Sequence, residues 1–266
     1  MNGARDADLS LITGAAKLAG ERALAMRAAG LETTSKTDGT PVSDADMAVD
    51  TLLKTLLGEA RPDYGWLSEE TADDPQRLAC KRLFVVDPID GTRSFVNGKA
   101  WWTVSIAVVE DGRPVAGVVH APDVGDTYDA IEGGGGRLNG RPIRPRATAD
   151  LQGCAMLGDR RMFTHPRWAD PWPPMRVESR NSIAYRLCLV AEGAFDAALA
   201  MSSKNEWDLA AADLIAREAG CLVTDHRGRG FHYNRPVPRA PSLVCAGPAL
   251  HALILRRVAP IELPNS

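Results

Sequence analysis

The sequence predicts a mixed α/β (α+β) fold, and three observations predict it. Apolar residues step by three and four along the N-terminal segment (Leu9, Ile12, Ala16, Ala19, Ala23, Met26), which is the period of an amphipathic helix. Apolar, β-rich runs at 83–86, 102–109, 115–120 and 127–131 are separated by Asp-Gly and Pro-containing turns, the pattern of buried strands and an antiparallel meander. A second helical period at 206–219 falls between strand-like segments at 195–200 and 221–224. With 266 residues, 45% hydrophobic and 24% charged, the chain can bury a sizeable core, which excludes disorder, collagen and coiled coil.

In chain order, the first helix is expected to stop at Gly30, and the Thr/Ser/Gly/Pro composition of 31–43 predicts a loop. Ser43 then caps a second helix, with Asp44 and Asp46 in its first turn, Val49, Leu52, Leu53, Leu56 and Leu57 as its apolar stripe, and Gly58 as its end. The run 83–86 predicts a buried strand that delivers Asp87 at its C-terminal edge. The Gly133 to Gly136 run reads as a turn, and the Pro/Arg/Trp-rich stretch 144–176 carries no readable period. A helix over 182–192, the helix over 206–219 ending before Gly220, strands at 221–224 and 242–245, and a helix over 248–257 complete the chain. The expected organisation is two halves, an N-terminal α+β half (1–150) and a C-terminal α/β half (151–266).

A net charge of −3 is too weak to attract a nucleic-acid polymer or an anionic membrane by bulk charge, so an anionic ligand must be held locally. Five cysteines (80, 154, 188, 221, 245), odd in number and without a CxxC, fit neither a disulfide framework nor a zinc cluster. The first ten residues lack the basic start of a signal peptide, and no apolar run approaches a membrane span; a cytoplasmic protein is expected.

The chemistry concentrates in Asp87-Pro88-Ile89-Asp90-Gly91-Thr92, where a buried strand meets a tight turn. Pro88 fixes φ, Gly91 lets backbone approach a ligand, and Thr92 offers a hydroxyl and an N–H beside a helix start. The spacing fits neither an EF-hand loop nor a P-loop. Glu69-Glu70 follows another short apolar segment, and Asp46 and Asp208 sit in the first turns of their helices. If these acids share one cavity, each like-charged pair at ~4 Å costs on the order of 4 kcal/mol at an effective dielectric near 20, so protons or cations must relieve them. Hard oxygen ligands in that number suit Mg²⁺.

The Lys36 loop, Val42-Ser43-Asp44-Ala45-Asp46, Leu67-Ser68-Glu69-Glu70, the 87–92 motif, the 117–121 strand, Ala191-Glu192-Gly193 and Glu206-Trp207-Asp208 occur in the order found in the inositol monophosphatase superfamily, which the chain resembles over nearly its whole length. The resemblance implies a layered αβαβα sandwich and a magnesium-dependent, lithium-sensitive phosphatase. It implies one metal held by Glu69, Asp87 and the Ile89 carbonyl, a second held by Asp87, Asp90 and Asp208, and a third, weaker ion near Glu69. Asp46 and Thr92 would position and deprotonate the attacking water, with Glu70 orienting that water or the metal ligands. The Gly91 and Thr92 N–H groups would hold the phosphate, and Lys36 is a candidate to reach the third metal's water or the phosphate.

Leu67-Ser68-Glu69-Glu70, Glu206-Trp207-Asp208 and Tyr233-Asn234 resemble the bacterial 3′(2′),5′-bisphosphate nucleotidases, which implies adenosine 3′,5′-bisphosphate as substrate. Inositol monophosphatases place a Glu seven residues before the last metal-binding Asp, and here that position is Met201. The 87–95 segment, with Ser94 where nucleotidases carry an acid, is closer to inositol or histidinol phosphatases, so those phosphate esters are the alternative substrates. A degenerate, ligand-binding homologue is the non-enzyme alternative. Arg186 is a candidate for a second phosphate, and Trp101, Trp102, Trp168 and Trp172 for stacking on a base or for packing. The expected partner is a small phosphorylated molecule, and the expected state a monomer or homodimer.

Overall fold

The computed structural model of the chain describes residues 2–35, 41–166 and 168–263. The N-terminal stripe forms α1 (Asn2–Ala29), with which the chain opens as expected. The stretch expected to be loop throughout instead contains an antiparallel pair, β1 (Thr33–Ser35) and β2 (Pro41–Ser43), whose Thr and Val residues suit extended backbone. Lys36 lies outside the described residues. The second helix, α2 (Asp44–Ala60), runs through Gly58 instead of stopping there. An interior Gly costs a helix only about 1 kcal/mol relative to Ala, whereas Pro62 disfavours helical backbone at Arg61, and that is where α2 ends.

Strands β3 (Gly65–Ser68) and β4 (Arg82–Asp90) pair in parallel, and a short helix α3 (Thr92–Val96) follows. Then β5 (Thr103–Glu110), β6 (Arg113–Ala121) and β7 (Asp126–Ile131) form the expected antiparallel meander, which β8 (Arg137–Leu138) and β9 (Arg141–Pro142) extend into a seven-stranded sheet in sequence order. The stretch without a readable period contains β10 (Ala155–Leu157), α4 (Arg160–Phe163) and the first residue of β11 (Arg176–Glu178), all too short to display one. The chain continues through α5 (Ile183–Ala191), β12 (Ala197–Ala200), β13 (Lys204–Asn205), α6 (Glu206–Ala219), β14 (Leu222–Thr224), β15 (Arg239–Ala240), β16 (Leu243–Ala246) and α7 (Pro248–Val258). A second sheet takes the order β11-β10-β12-β16-β14, with β10 parallel to both neighbours and β16 antiparallel to both of its own.

Side-chain alternation stacks these elements into five layers. Phe84 and Val86 point from β4 to one face of the large sheet, where α1 and α2 cover them with Ile12, Ala16, Val49 and Leu53. Leu83 and Val85 point to the other face and join a core shared with α5, α6 and one face of the second sheet. On the far face of that sheet, Met156, Leu199 and Val244 pack on Leu250, Ile254 and Val258 of α7. The order is therefore αβαβα, as the resemblance implied. Helix α6 comes unusually close to the large sheet: a Cβ at Gly117 of β6 would lie 3.0 Å from the Ala211 carbonyl. Both faces of β4 are thus covered, and its two acids, Asp87 and Asp90, lie at its C-terminal end. Among the described residues, no helix is long and apolar enough to cross a membrane.

Candidate active site

Three carboxylates meet where β4 ends. Asp87, Asp90 and Asp208 each place one oxygen so that all three lie within 4.8 Å of one another. Asp87 sits in register with Ser105 of β5, and Asp90 with Thr103, but the ladder breaks between them. Pro88 lacks the N–H that a regular ladder needs, and the irregularity brings both acids to the same edge. The Asp87 carboxylate is steadied by the Ile89 N–H at 3.1 Å. Glu69 arrives on the neighbouring strand: Ser68 of β3 pairs with Val86, so the next residue lies beside Asp87. Asp50 of α2 accepts hydrogen bonds from the Ser68 and Thr71 hydroxyls on either side of Glu69-Glu70, which ties down that turn.

Two helices deliver acids from the same position of their first turn. Asp46 Oδ2 accepts from the Ser43 N–H (2.8 Å) and the Ser43 hydroxyl (2.6 Å), while Oδ1 accepts from Thr92 Oγ1 at 3.1 Å. Asp208 Oδ2 accepts from the Asn205 N–H at 2.9 Å, which leaves its other oxygen for the cluster. Asp90 is held differently. Ser182, the cap of α5, donates its hydroxyl to Asp90 Oδ2 at 2.6 Å, and the N–H groups of Ile183 (3.1 Å) and Ala184 (2.7 Å) complete the grip. A carboxylate at a helix N-terminus satisfies orphan donors and meets the favourable end of the dipole. Gly91 adopts φ +96°, and a Cβ there would lie 2.9 Å from the Ser182 nitrogen, so only glycine lets the 87–92 turn close against α5.

Burial, aggravated by the neighbouring acids, pushes these groups up in pKa. Asp87 is raised well above the usual carboxylate range by burial and then by Glu69, Asp90, Asp208 and Asp46. Asp90 rises to about 6, again chiefly by burial, which its hydrogen bonds to α5 partly offset. Asp208 rises to about 8 through burial, Asp90 and Glu69. Asp46 is raised by burial against its own hydrogen bonds. Since an unfolded Asp titrates near ~3.9, the folded protein without divalent cation holds more protons than the unfolded chain above that pH, and its stability falls as pH rises toward 8. A cation on these oxygens removes the penalty. Mg²⁺ is therefore expected to raise the melting temperature over a chelated control by more at pH 8 than at pH 5.5. A thermal shift that does not change with pH would exclude the cluster as the binding site.

The cluster floors a cleft of about 610 Å³ that also exposes Gly91, Thr92, Arg93, Arg186, Met201 and Lys204. Of the residues singled out from sequence, Glu69, Asp87, Asp90, Asp208, Gly91, Thr92, Arg186 and Met201 all line it. Asp46 lies behind Thr92, and Ile89 O accepts a second contact from Thr92 Oγ1 at 3.1 Å. Glu70 follows Glu69 in the turn after β3 but is not among the residues lining the cleft. Arg186 is fixed by donating from Nε (2.6 Å) and Nη2 to the Arg180 carbonyl, while the Arg180 guanidinium stacks 4.2 Å from the Trp101 ring. Burial lowers the pKa of both Arg186 and Lys204. Trp102 is core: it is buried against Phe95 with its Nε1–H on Asp123. Sequence reasoning missed Ser182, Asp50 and Lys204. Ser182 was legible as a cap, but that it caps onto Asp90 was not.

A model of the inositol monophosphatase family matches residues 5–262. The chain is 34% identical over 242 residues to a histidinol-phosphatase of Mycobacterium tuberculosis, covering 86% of this chain and 88% of the relative. It is 30% identical over 234 residues to the 3′(2′),5′-bisphosphate nucleotidase CysQ of Aggregatibacter actinomycetemcomitans, covering 83% and 85%. The crystal structure of the extragenic suppressor protein suhB from Bartonella henselae superposes with a TM-score of 0.81 at 25% identity, over 96% of this chain and 99% of that one. The layered architecture, the order of the acidic motifs and the expectation of a phosphatase agree with these likenesses, and the chain belongs to the inositol monophosphatase family.

Proposed function

We propose that the protein is a Mg²⁺-dependent phosphomonoesterase acting on a 3′(2′),5′-bisphosphate nucleotide such as adenosine 3′,5′-bisphosphate. The observation that carries this reading is a single cleft with the carboxylate cluster on its floor and three cationic side chains, Arg93, Arg186 and Lys204, on its walls. The donor set fits magnesium: it is all oxygen, converges within 4.8 Å, and is under a charge strain that a cation relieves. Glu69, Asp87 and the Ile89 carbonyl would hold one ion, Asp87, Asp90 and Asp208 a second, with Glu69 beside any third. When bound, the ions supply charge neutralisation for the phosphate and acidify a water.

The chain's own residues do the rest. Thr92, which lines the cleft, can pass its hydroxyl proton to Asp46 while it takes one from the attacking water. The N–H groups of Gly91 and Thr92, at the start of α3, are the donors for phosphate oxygens. Met201 is a poor acceptor where a polyol would need one, and an unpaired buried hydroxyl loses about 1 to 3 kcal/mol. Arg186, which lines the cleft and is held by the Arg180 carbonyl, would meet the second phosphate through charge-assisted bonds.

One observation favours a second reading: Asp159 lines the same cleft and could accept a substrate ammonium, as histidinol phosphate would present. A phosphate-release panel with Mg²⁺ separates the readings. The expected kcat/KM for adenosine 3′,5′-bisphosphate exceeds that for inositol 1-phosphate or histidinol phosphate by at least ~tenfold, or about 1.4 kcal/mol. Equal or reversed preference rejects the nucleotidase reading, and no turnover of any of the three leaves the ligand-binding homologue.

A further inference from the structure

A second cavity, about 590 Å³, adjoins the active-site cleft and shares two of its walls, Met162 and Met201. Its remaining surface comes from His165, Trp168 and the segment 260–263, including Ile261 and Leu263. None of the described residues lining the catalytic cleft is aromatic, whereas Trp168 and His165 line this adjoining cavity. We propose that this annex is the base subsite: the substrate's phosphates stay on the cluster side of Met162 and Met201, and its flat heteroaromatic base crosses between the two thioethers to lie on Trp168. The inference rests on the nucleotide reading above and specifies where that substrate's base is recognised.

The indole is built as a rigid platform. Trp168 donates its Nε1–H to the Met162 carbonyl at 2.6 Å. Its ring meets Trp172 edge to face at 5.3 Å, and Trp172 meets the buried Phe163 the same way at 5.2 Å. The Arg257 guanidinium lies 4.8 Å from the Trp172 ring and donates to the Asp170 and Pro171 carbonyls at 2.7 Å each. Trp168 is thereby held through its ring nitrogen and its perpendicular contact with Trp172, and an ordered aromatic ring binds a base with little further loss of freedom. Thioether sulfurs make favourable contacts with aromatic rings and adapt to different ones, so Met162 and Met201 suit the passage between the two cavities. A ribose alone has nothing to gain from such a surface.

The test is calorimetric binding, in Mg²⁺, of adenosine 5′-monophosphate against ribose 5-phosphate, which differ by the base. The wild-type protein is expected to bind the nucleotide at least tenfold more tightly. Trp168→Ala should lose about ten- to a hundredfold for the nucleotide and leave ribose 5-phosphate unchanged, with Trp168→Phe restoring most of the loss. Ile261→Asp, on the 260–263 segment, should weaken the nucleotide selectively without touching the aromatic platform. Equal affinity of the two ligands for the wild type, or variants that weaken both ligands alike, would overturn the subsite. Turnover of adenosine 3′,5′-bisphosphate reports separately on the function: a protein that binds the base through Trp168 but does not hydrolyse that substrate keeps the subsite and loses the nucleotidase assignment.

Discussion

Asp208→Asn is expected to abolish the response to Mg²⁺ and lower activity by more than the 10- to 100-fold typical of disturbing groups that merely support metal ligands, while the fold survives. The amide oxygen can still accept from the Asn205 N–H, the bond that seats residue 208 in the first turn of α6. What disappears is one negative charge from a cluster in which burial and the neighbouring acids already raise Asp208 to about 8. In chelator at pH 8 the variant should therefore melt at a higher temperature than the wild type, and in Mg²⁺ the order should reverse. Activity, Mg²⁺ calorimetry and melting curves in both conditions check this. Full activity of the variant in excess chelator would end the metal-dependent mechanism. A variant less stable than the wild type in chelator would mean that the repulsion among these acids is not what the geometry implies.

Thr92→Ala is expected to lower kcat by roughly 10² to 10⁴, the span associated with loss of general-base assistance, with little change in KM. The Thr92 hydroxyl is the link between the cleft and Asp46, which does not itself line it. Ser should restore much of the rate because it keeps the hydroxyl, and Asp46→Asn should match the Ala variant because an amide cannot take up the proton at the end of the same relay. An effect of Thr92→Ala confined to KM would make the hydroxyl a binding group, and the relay would fall.

Local pattern carried much of the architecture. The stripe in α1, the meander of β5 to β7 and the span of α6 follow from periods that burial on one side imposes. Where reading failed, a competing local term was stronger or the element was too short. Gly58 is a helix breaker by composition, yet α2 passes it because Pro62 is the firmer stop. Strands β1, β10 and β11 have three residues each, less than two alternations, and unlike the equally short β14 they lie in stretches rich in Pro, Gly, Thr or Arg that read as loop.

At the site, the sequence by itself determined which acids exist, the Pro and Gly that turn β4 toward α3, and the placing of Asp46 and Asp208 in helical first turns. Those are short-range matters of φ, capping and charge at helix ends. Only the tertiary structure decided that Ser182 and the first N–H groups of α5 grip Asp90, that Asp50 ties the turn bearing Glu69, and that Trp168 lines a cavity beside the acidic cleft. Each of these joins segments far apart in the chain. Such a contact exists because packed layers hold its two ends together, and the identity of either residue alone does not specify the partner it will meet.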